Sequence, residues 1–173
     1  MENSVIKGLP AHIRGDCRVL VLGSMPGVAS LQAGRYYAHP RNRFWPLMAR
    51  LCGFDTDLPY PARVAAMLEA GAGLWDVIDE CVRPGSLDSA IVPGSATVNP
   101  LAERIAVLPQ LVLVACNGAT AAQAFRREVL PQLPEPARFE LLALPSTSPA
   151  NAAFSLERLF QAWRRLQPHL APP

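Results

Sequence analysis

The sequence predicts an α/β fold, a mainly parallel sheet with helices on both faces. Three runs carry that prediction. Residues 17–23 (CRVLVLG), 111–116 (LVLVAC) and 139–144 (FELLAL) are short, β-prone and almost continuously apolar. Strands that alternate apolar and polar residues have one wet face; unbroken apolar strands are buried on both. Segments with helical periodicity lie between them, which is the order of a parallel sheet with crossover helices. With 173 residues, half of them hydrophobic, one domain spanning 1–173 has apolar surface enough for a core without staples.

The elements follow in order. Cys17–Gly23 is a central strand ending in glycine. Arg43–Leu51 follows Pro40 and reads as a helix with Trp45 and Met48 facing inward. Pro61–Ala70 is a second helix, stopped by Gly71. Asn99-Pro100 reads as an N-cap followed by proline at the first helical position, starting a helix that runs to Leu108. Leu111–Cys116 is the second buried strand, Gly118–Leu130 a helix of small and apolar residues, and Phe139–Leu144 the third strand. Phe154–Gln167 closes the chain as an amphipathic helix with Leu156, Leu159, Phe160 and Trp163 on one face. The terminal prolines, Pro168, Pro172 and Pro173, are expected to fray.

Composition narrows the function classes. No apolar stretch reaches the ~18 residues that suggest a transmembrane helix. The opening segment lacks the basic, apolar, small-residue order of a secretory signal, so the expected compartment is the cytoplasm. Cys17, Cys52, Cys81 and Cys116 form no C-x-x-C pair and sit in or beside apolar runs, so they read as buried free thiols; no metal or cofactor is expected. The net charge of +2 does not by itself imply a nucleic-acid partner. Only Lys7 is lysine, and the other fifteen basic residues are arginine. That bias reflects either base composition or phosphate contact, for which guanidinium is suited.

In a parallel sheet, ligands bind outside the carboxyl ends of the strands. The segments leaving the three strands, GSMPG at 23–27, NGAT at 117–120 and PSTSPAN at 145–151, should therefore meet at one edge. GSMPG is a tight turn with exposed backbone N–H groups, suited to a phosphate or a base oxygen. It is neither a Walker loop nor a dinucleotide-binding turn. Residues 36–45 (YYAHPRNRFW) interleave aromatic and basic side chains, the combination that stacks on a base while neutralising phosphate. Phe44 and Trp45 fit core packing; Tyr37 and Asn42 are harder to place there, because a buried amide needs partners. Asp76 and Asp88, in GLWDVI and PGSLD, are either caps and turn residues or site carboxyls. PSTSPAN places three hydroxyls between prolines, a stiff loop able to hold phosphate without reading sequence.

Together these segments resemble the uracil-DNA glycosylase superfamily. GSMPG resembles its first motif, HPRNRFW a run of the mismatch-specific branch, and PSTSPAN falls where its serine-rich second motif lies. GLWDVI, CVRPGSLDSAI, CNGAT and LPSTSPAN are most similar to the hypoxanthine-DNA (deoxyinosine) branch. The resemblance runs from Arg18 to Trp163 with the motifs in order. It implies a three-layer α/β/α sandwich around a four-stranded, mainly parallel sheet, with a short strand near Gly73–Trp75 as the extra member. It also implies an enzyme that hydrolyses the N-glycosidic bond of a damaged base in DNA.

What the resemblance implies for residues is specific. Several branches carry Asp or Asn at the third position of the first motif; Met25 stands there and cannot position water. In the branch most resembled, the catalytic role falls to the position of Asn42. Tyr37 would stack on the flipped base, and Ser24, Met25, Trp75 and Asp76 would surround it. His39, Arg41, Ser146, Ser148 and Asn151 would face DNA, with His39 either donating to a phosphate or base or only closing its own turn, and Arg43 partly structural. The expected partner is DNA with a damaged base, acted on by a monomer without an obligate protein partner. Hypoxanthine is the first-choice base. A uracil or mispaired-thymine enzyme, a catalytically silent DNA-binding relative and a small-molecule nucleotide-binding protein are the alternatives.

Overall fold

A computed structural model describes residues 4–171 of the chain. Four strands form a wholly parallel sheet: β2 (Val19–Gly23), β3 (Ala72–Asp76), β6 (Leu113–Asn117) and β7 (Glu140–Leu144). Their spatial order is β3-β2-β6-β7, so β2 and β6 lie at the centre, and both are buried along their whole length. This is the buried-on-both-faces character that their unbroken apolar runs predict.

Strand alternation divides the core in two. Val19 and Val21, with Leu113, Ala115 and Leu142, face one side. There they meet α2 (Phe44–Cys52), α3 (Tyr60–Glu69) and α6 (Leu156–Trp163). Leu20, Leu22, Val114 and Cys116 face the other side, against α4 (Leu101–Ala106) and α5 (Ala119–Ala124). The result is the three-layer α/β/α sandwich, with Trp163 and Phe44 filling one layer and Phe125 the other, all fully buried.

Most element boundaries agree within two or three residues, and the departures have local causes. Asn99 does not cap α4. Its side chain is buried and donates to the Asp76 and Ile78 carbonyls at 2.8 and 3.4 Å, and Pro100 takes the capping position. The helix ends at Ala106, short of Leu108. The helix expected to run to Leu130 changes pitch at Phe125–Val129 into a wider π turn, then tightens to a 3₁₀ turn at Leu130–Gln132. The last helix begins at Leu156, where the Ser155 hydroxyl accepts the Arg158 N–H, and passes into a 3₁₀ turn at Arg164–His169. Pro168 sits inside that turn rather than in a frayed end: Leu170 is buried and the Ala171 N–H donates to the Ala70 carbonyl at 2.9 Å. Pro172 and Pro173 lie outside the described residues.

A second, antiparallel sheet and a short helix are additions that periodicity does not reveal. β1 (Val5–Lys7), β4 (Ile78–Val82) and β5 (Thr97–Val98) pair in the order β1-β4-β5. β4 follows β3 after a single residue, and the N–H of Val77 and of Ile78 return to the carbonyls of Gly23 and Ser24. The small sheet thereby anchors the turn leaving β2. Helix α1 (Val28–Ala33) follows that turn. Four free cysteines are all buried, as the spacing predicts, and burial pushes the thiols up, to about 11 for Cys17 and about 12 for Cys52 and Cys116. Among the described residues no helix is long and apolar enough to cross a membrane.

Candidate functional site

The carboxyl edge of the large sheet opens into a cavity of about 410 Å³. Its walls come from the segments leaving β2, β3, β6 and β7, together with the aromatic-basic stretch before α2 and the loop carrying Asp88. The convergence follows from topology, because four parallel strands place their carboxyl ends on one edge.

The floor is Asp76, the last residue of β3. It is 4% exposed, and among the described residues its Oδ2 has no hydrogen-bond partner and no cation forms an ion pair with it. Gly23 makes room for it. A Cβ at that position would lie 2.3 Å from Asp76 Oδ1 and 2.9 Å from the Tyr37 hydroxyl, so only glycine fits beneath both. Burial, with the charge of Asp88 adding to it, pushes the Asp76 carboxyl up to about 7; Arg83 opposes the shift. Near neutral pH this acid is divided between its neutral and ionised forms.

Tyr37 forms a wall. It has φ of 54°, a left-handed conformation unusual for a bulky residue. Two contacts hold it there. The ring stacks on Phe44 with centroids 4.0 Å apart, and its hydroxyl accepts from Asn117 Nδ2 at 3.1 Å. One ring face is covered by Phe44, so the other is the face available to the cavity. Burial and the charge of Asp76 push the phenol up, and it stays neutral. Asn117, at the end of β6, also donates to Thr147 Oγ1 at 3.0 Å and accepts the Thr147 N–H at 2.9 Å. One amide thus ties the ends of β6 and β7 to Tyr37.

Asn42 stands at the cavity in the turn before α2. Its Oδ1 accepts the Phe44 N–H at 2.9 Å, which fixes which end of the amide is oxygen. The second lone pair of that oxygen and the amide N–H₂ carry no protein partner among the described residues. His39 Nδ1 accepts the Arg41 N–H at 3.1 Å, so the proton of a neutral ring lies on Nε2. The turn-closing role of His39 is therefore present, and its Nε2 donor is left over.

The serine loop is braced internally. Ser146 Oγ accepts the Ser148 N–H, Ser148 Oγ accepts the Ala150 N–H, and Asn151 Nδ2 donates to the Ser146 carbonyl, all near 3 Å. Each hydroxyl used as an acceptor keeps its own O–H to donate. Arg43 is structural: its Nη2 donates to the Ser148 and Asn151 carbonyls at 2.8 and 3.1 Å.

The turn after β2 completes the rim. Ser24 Oγ donates to Asp88 Oδ1 at 2.7 Å. The Met25 side chain packs with Ile78 and Cys81, and the residue lines the cavity. The buried Arg83 donates to the Pro26 and Gly85 carbonyls at 2.7 and 2.8 Å, clamping this turn to the loop that carries Asp88.

Of the residues the sequence points to, Asn42, Ser24, Met25, Tyr37, Asp76, His39, Ser146, Ser148 and Asn151 line the cavity; Trp75 and Arg41 do not. Trp75 precedes Asp76 on the strand, so alternation turns it elsewhere; it packs against both core layers. Arg41 is exposed in the turn beside His39. Asn117 reaches the site without having been assigned a part in it, and Asp88 and Thr147, read as a possible site carboxyl and a loop hydroxyl, line it as well. For Asn117 a signal existed: it begins a segment already placed at the strand edge.

Comparison with known proteins agrees with this architecture. The family model of the uracil DNA glycosylase superfamily matches residues 10–167. A protein of Methanosarcina acetivorans named hypoxanthine DNA glycosylase is 33% identical over 153 residues, covering 88% of this chain and 92% of the relative. One of the same name from Methanosarcina barkeri is 33% identical over 118 residues, or 68% of this chain and 73% of the relative. The solution NMR structure of a candidate uracil DNA glycosylase from Methanosarcina acetivorans superposes with a TM-score of 0.78 at 30% identity, covering 96% of this chain and all of that one. The chain belongs to the uracil DNA glycosylase superfamily.

Proposed function

We propose that this protein is a monofunctional DNA N-glycosylase that flips a deaminated base out of DNA and hydrolyses its bond to deoxyribose, with hypoxanthine the preferred base. One observation carries the reading of a deaminated base. A buried acid with an unpartnered oxygen forms the floor of a base-sized cavity walled by a tyrosine ring. The relatives named hypoxanthine DNA glycosylase support the same reading.

The chemistry follows from what the cavity offers. The base must leave the duplex to be reached. Tyr37, backed by Phe44, offers its free face for stacking. A neutral carboxylic acid presents one O–H donor and one carbonyl acceptor. The lactam edge of hypoxanthine, N1–H beside C6=O, is the complement of that pair. As the C1′–N bond lengthens, the sugar gains oxocarbenium character and the base gains negative charge. Donation from neutral Asp76 and from the Met25 N–H stabilises that charge, whereas an ionised Asp76 would repel it. Asn42 holds the attacking water through the lone pair that the Phe44 N–H leaves free, a gain from positioning. Met25 supplies no polar side chain, so a good leaving base is required. Ser146 and Ser148 donate to phosphates beside the flipped nucleotide, and His39 Nε2 is placed to join them.

The test is a panel of duplexes, each carrying one hypoxanthine, uracil or mispaired thymine, with alkaline strand cleavage as readout. Release of hypoxanthine at the highest single-turnover rate is expected. Release of uracil alone transfers the assignment to uracil, which has the same lactam edge. Absence of release from every duplex, with binding retained, leaves a silent DNA-binding relative.

A further inference from the structure

A second cleft, of about 230 Å³, adjoins the base cavity and shares Tyr36, Tyr37, His39 and Asn42 with it. We infer that this cleft, between Arg35 and Arg63, holds a backbone phosphate of the strand whose base enters the cavity. The inference rests on the glycosylase reading for the identity of that strand.

The lining is chemically one-sided. Arg35 and Arg63 both reach it, with Thr56 and the ring of Tyr60, and no carboxylate does. The two guanidiniums sit over the Tyr60 ring at 5.9 and 5.7 Å from its centroid, and Arg63 also lies 5.1 Å from Trp45. Among the described residues neither arginine forms an ion pair. Asp55 and Asp57 flank Thr56 in sequence, yet neither lines the cleft. Arg63 Nε is buried without a hydrogen-bond partner. A buried donor left unused beside a second guanidinium is a group an anion would satisfy. Burial and the charge of Arg35 both work against the Arg63 guanidinium, in the direction an anion would reverse.

The cleft's donors suit an anion with several oxygens. Guanidinium binds phosphate through paired N–H groups, and the aromatic walls keep the forks in place. The Thr56 hydroxyl can add to them. A backbone phosphate is favoured over a free one because the shared wall includes Tyr37 and Asn42. An anion here lies one wall away from the extruded nucleotide. The serine loop lines the base cavity and not this cleft, so the strand is gripped at two separate places.

Replacing single phosphates around the lesion with neutral methylphosphonates tests this, with wild type, Arg35→Gln and the double variant Arg35→Gln/Arg63→Gln compared by DNA affinity at one salt concentration. Wild type should lose about tenfold at one linkage near the lesion, the size of a charge-assisted contact. The double variant should bind unmodified DNA about tenfold more weakly and be indifferent to neutralisation at that linkage. Arg35 is exposed, so Arg35→Gln keeps the test valid if the double variant is unstable. Variants that feel every neutral linkage as wild type does overturn the site. So does tight binding of inorganic phosphate or a nucleoside monophosphate that leaves DNA affinity unchanged. Loss of base release from all lesions, with the linkage effect intact, overturns the glycosylase reading and spares the phosphate site.

Discussion

Two residues separate binding from chemistry. Asn42→Ala removes both the oxygen proposed to hold water and the acceptor for the Phe44 N–H, so it should cost about 1 kcal/mol of stability as a lost side-chain to backbone hydrogen bond. Asn42→Ser restores an acceptor without the amide. Both should slow single-turnover release by about 10²-fold with affinity for lesion DNA nearly unchanged; an equal fall in affinity would mean that Asn42 grips DNA. Asp76 has a sign that can be worked out. Its folded value of about 7 lies above the usual 3.8, so the folded state keeps a proton that the unfolded state has released between those values. Stability therefore falls as pH rises through that window and levels off above it. Asp76→Asn should remove this slope and stabilise the protein at pH 8 by more than ~1 kcal/mol, read from denaturant melts. Base release by wild type should decline as pH rises through about 7, while Asp76→Asn, which keeps a donor and an acceptor, should show no such decline. A wild-type rate that climbs through this range would make the carboxylate the active form. The sequence placed Asp76 among the candidates but left open a helix cap. Only burial at the strand end turns an ordinary carboxyl into one divided between two forms.

At the scale of elements, the site is held by clamps that join strand ends, and Asn117 joins the most. Asn117→Ala would leave the Thr147 N–H buried without its acceptor and the Tyr37 hydroxyl without its donor. A loss of about 1–3 kcal/mol is expected from the unpaired group. Base release should fall as well, because nothing then holds Tyr37 at its left-handed φ except the stack on Phe44. Melting temperature and single-turnover rate together check this; loss of stability with an unchanged rate would separate Tyr37 from the base. The large strands and α2, α3 and α6 were legible because unbroken apolar runs and a 3.6-residue period are strong local signals. β4 was not, because IDECV places Asp79 and Glu80 side by side and buries only Ile78 and Cys81. Its partners, β1 and β5, are three and two residues long, too short for any period. Asn99 shows the other failure: asparagine before proline is a good local cap, but the tertiary structure claimed its amide for the Asp76 and Ile78 carbonyls.

For the whole molecule, the fold and the position of the candidate site were legible for the same reason. Parallel strands fix which loops meet, so finding the strands also found the cavity. Which side chains turn into it was less accessible, since Trp75 and Asp76 are neighbours in sequence and only one enters. The global charge adds a final consequence. A net charge of +2 spread over 173 residues leaves little field for non-specific attraction to DNA. The candidate grips are mixed: Ser146, Ser148 and backbone N–H groups are neutral, while Arg35, Arg41 and Arg63 are cationic. Only cations release counterions from the DNA, at about 0.9 in the slope of log affinity against log salt for each phosphate neutralised. Arg35 and Arg63 share one phosphate and Arg41 would neutralise another, so two neutralised phosphates give a slope of about −2. The slope for lesion duplex should fall near that value, and Arg35→Gln/Arg63→Gln should bring it to about −1. A slope twice as steep would place the main DNA contact on arginines away from this edge, and a flat one would leave the hydroxyls to hold the strand alone.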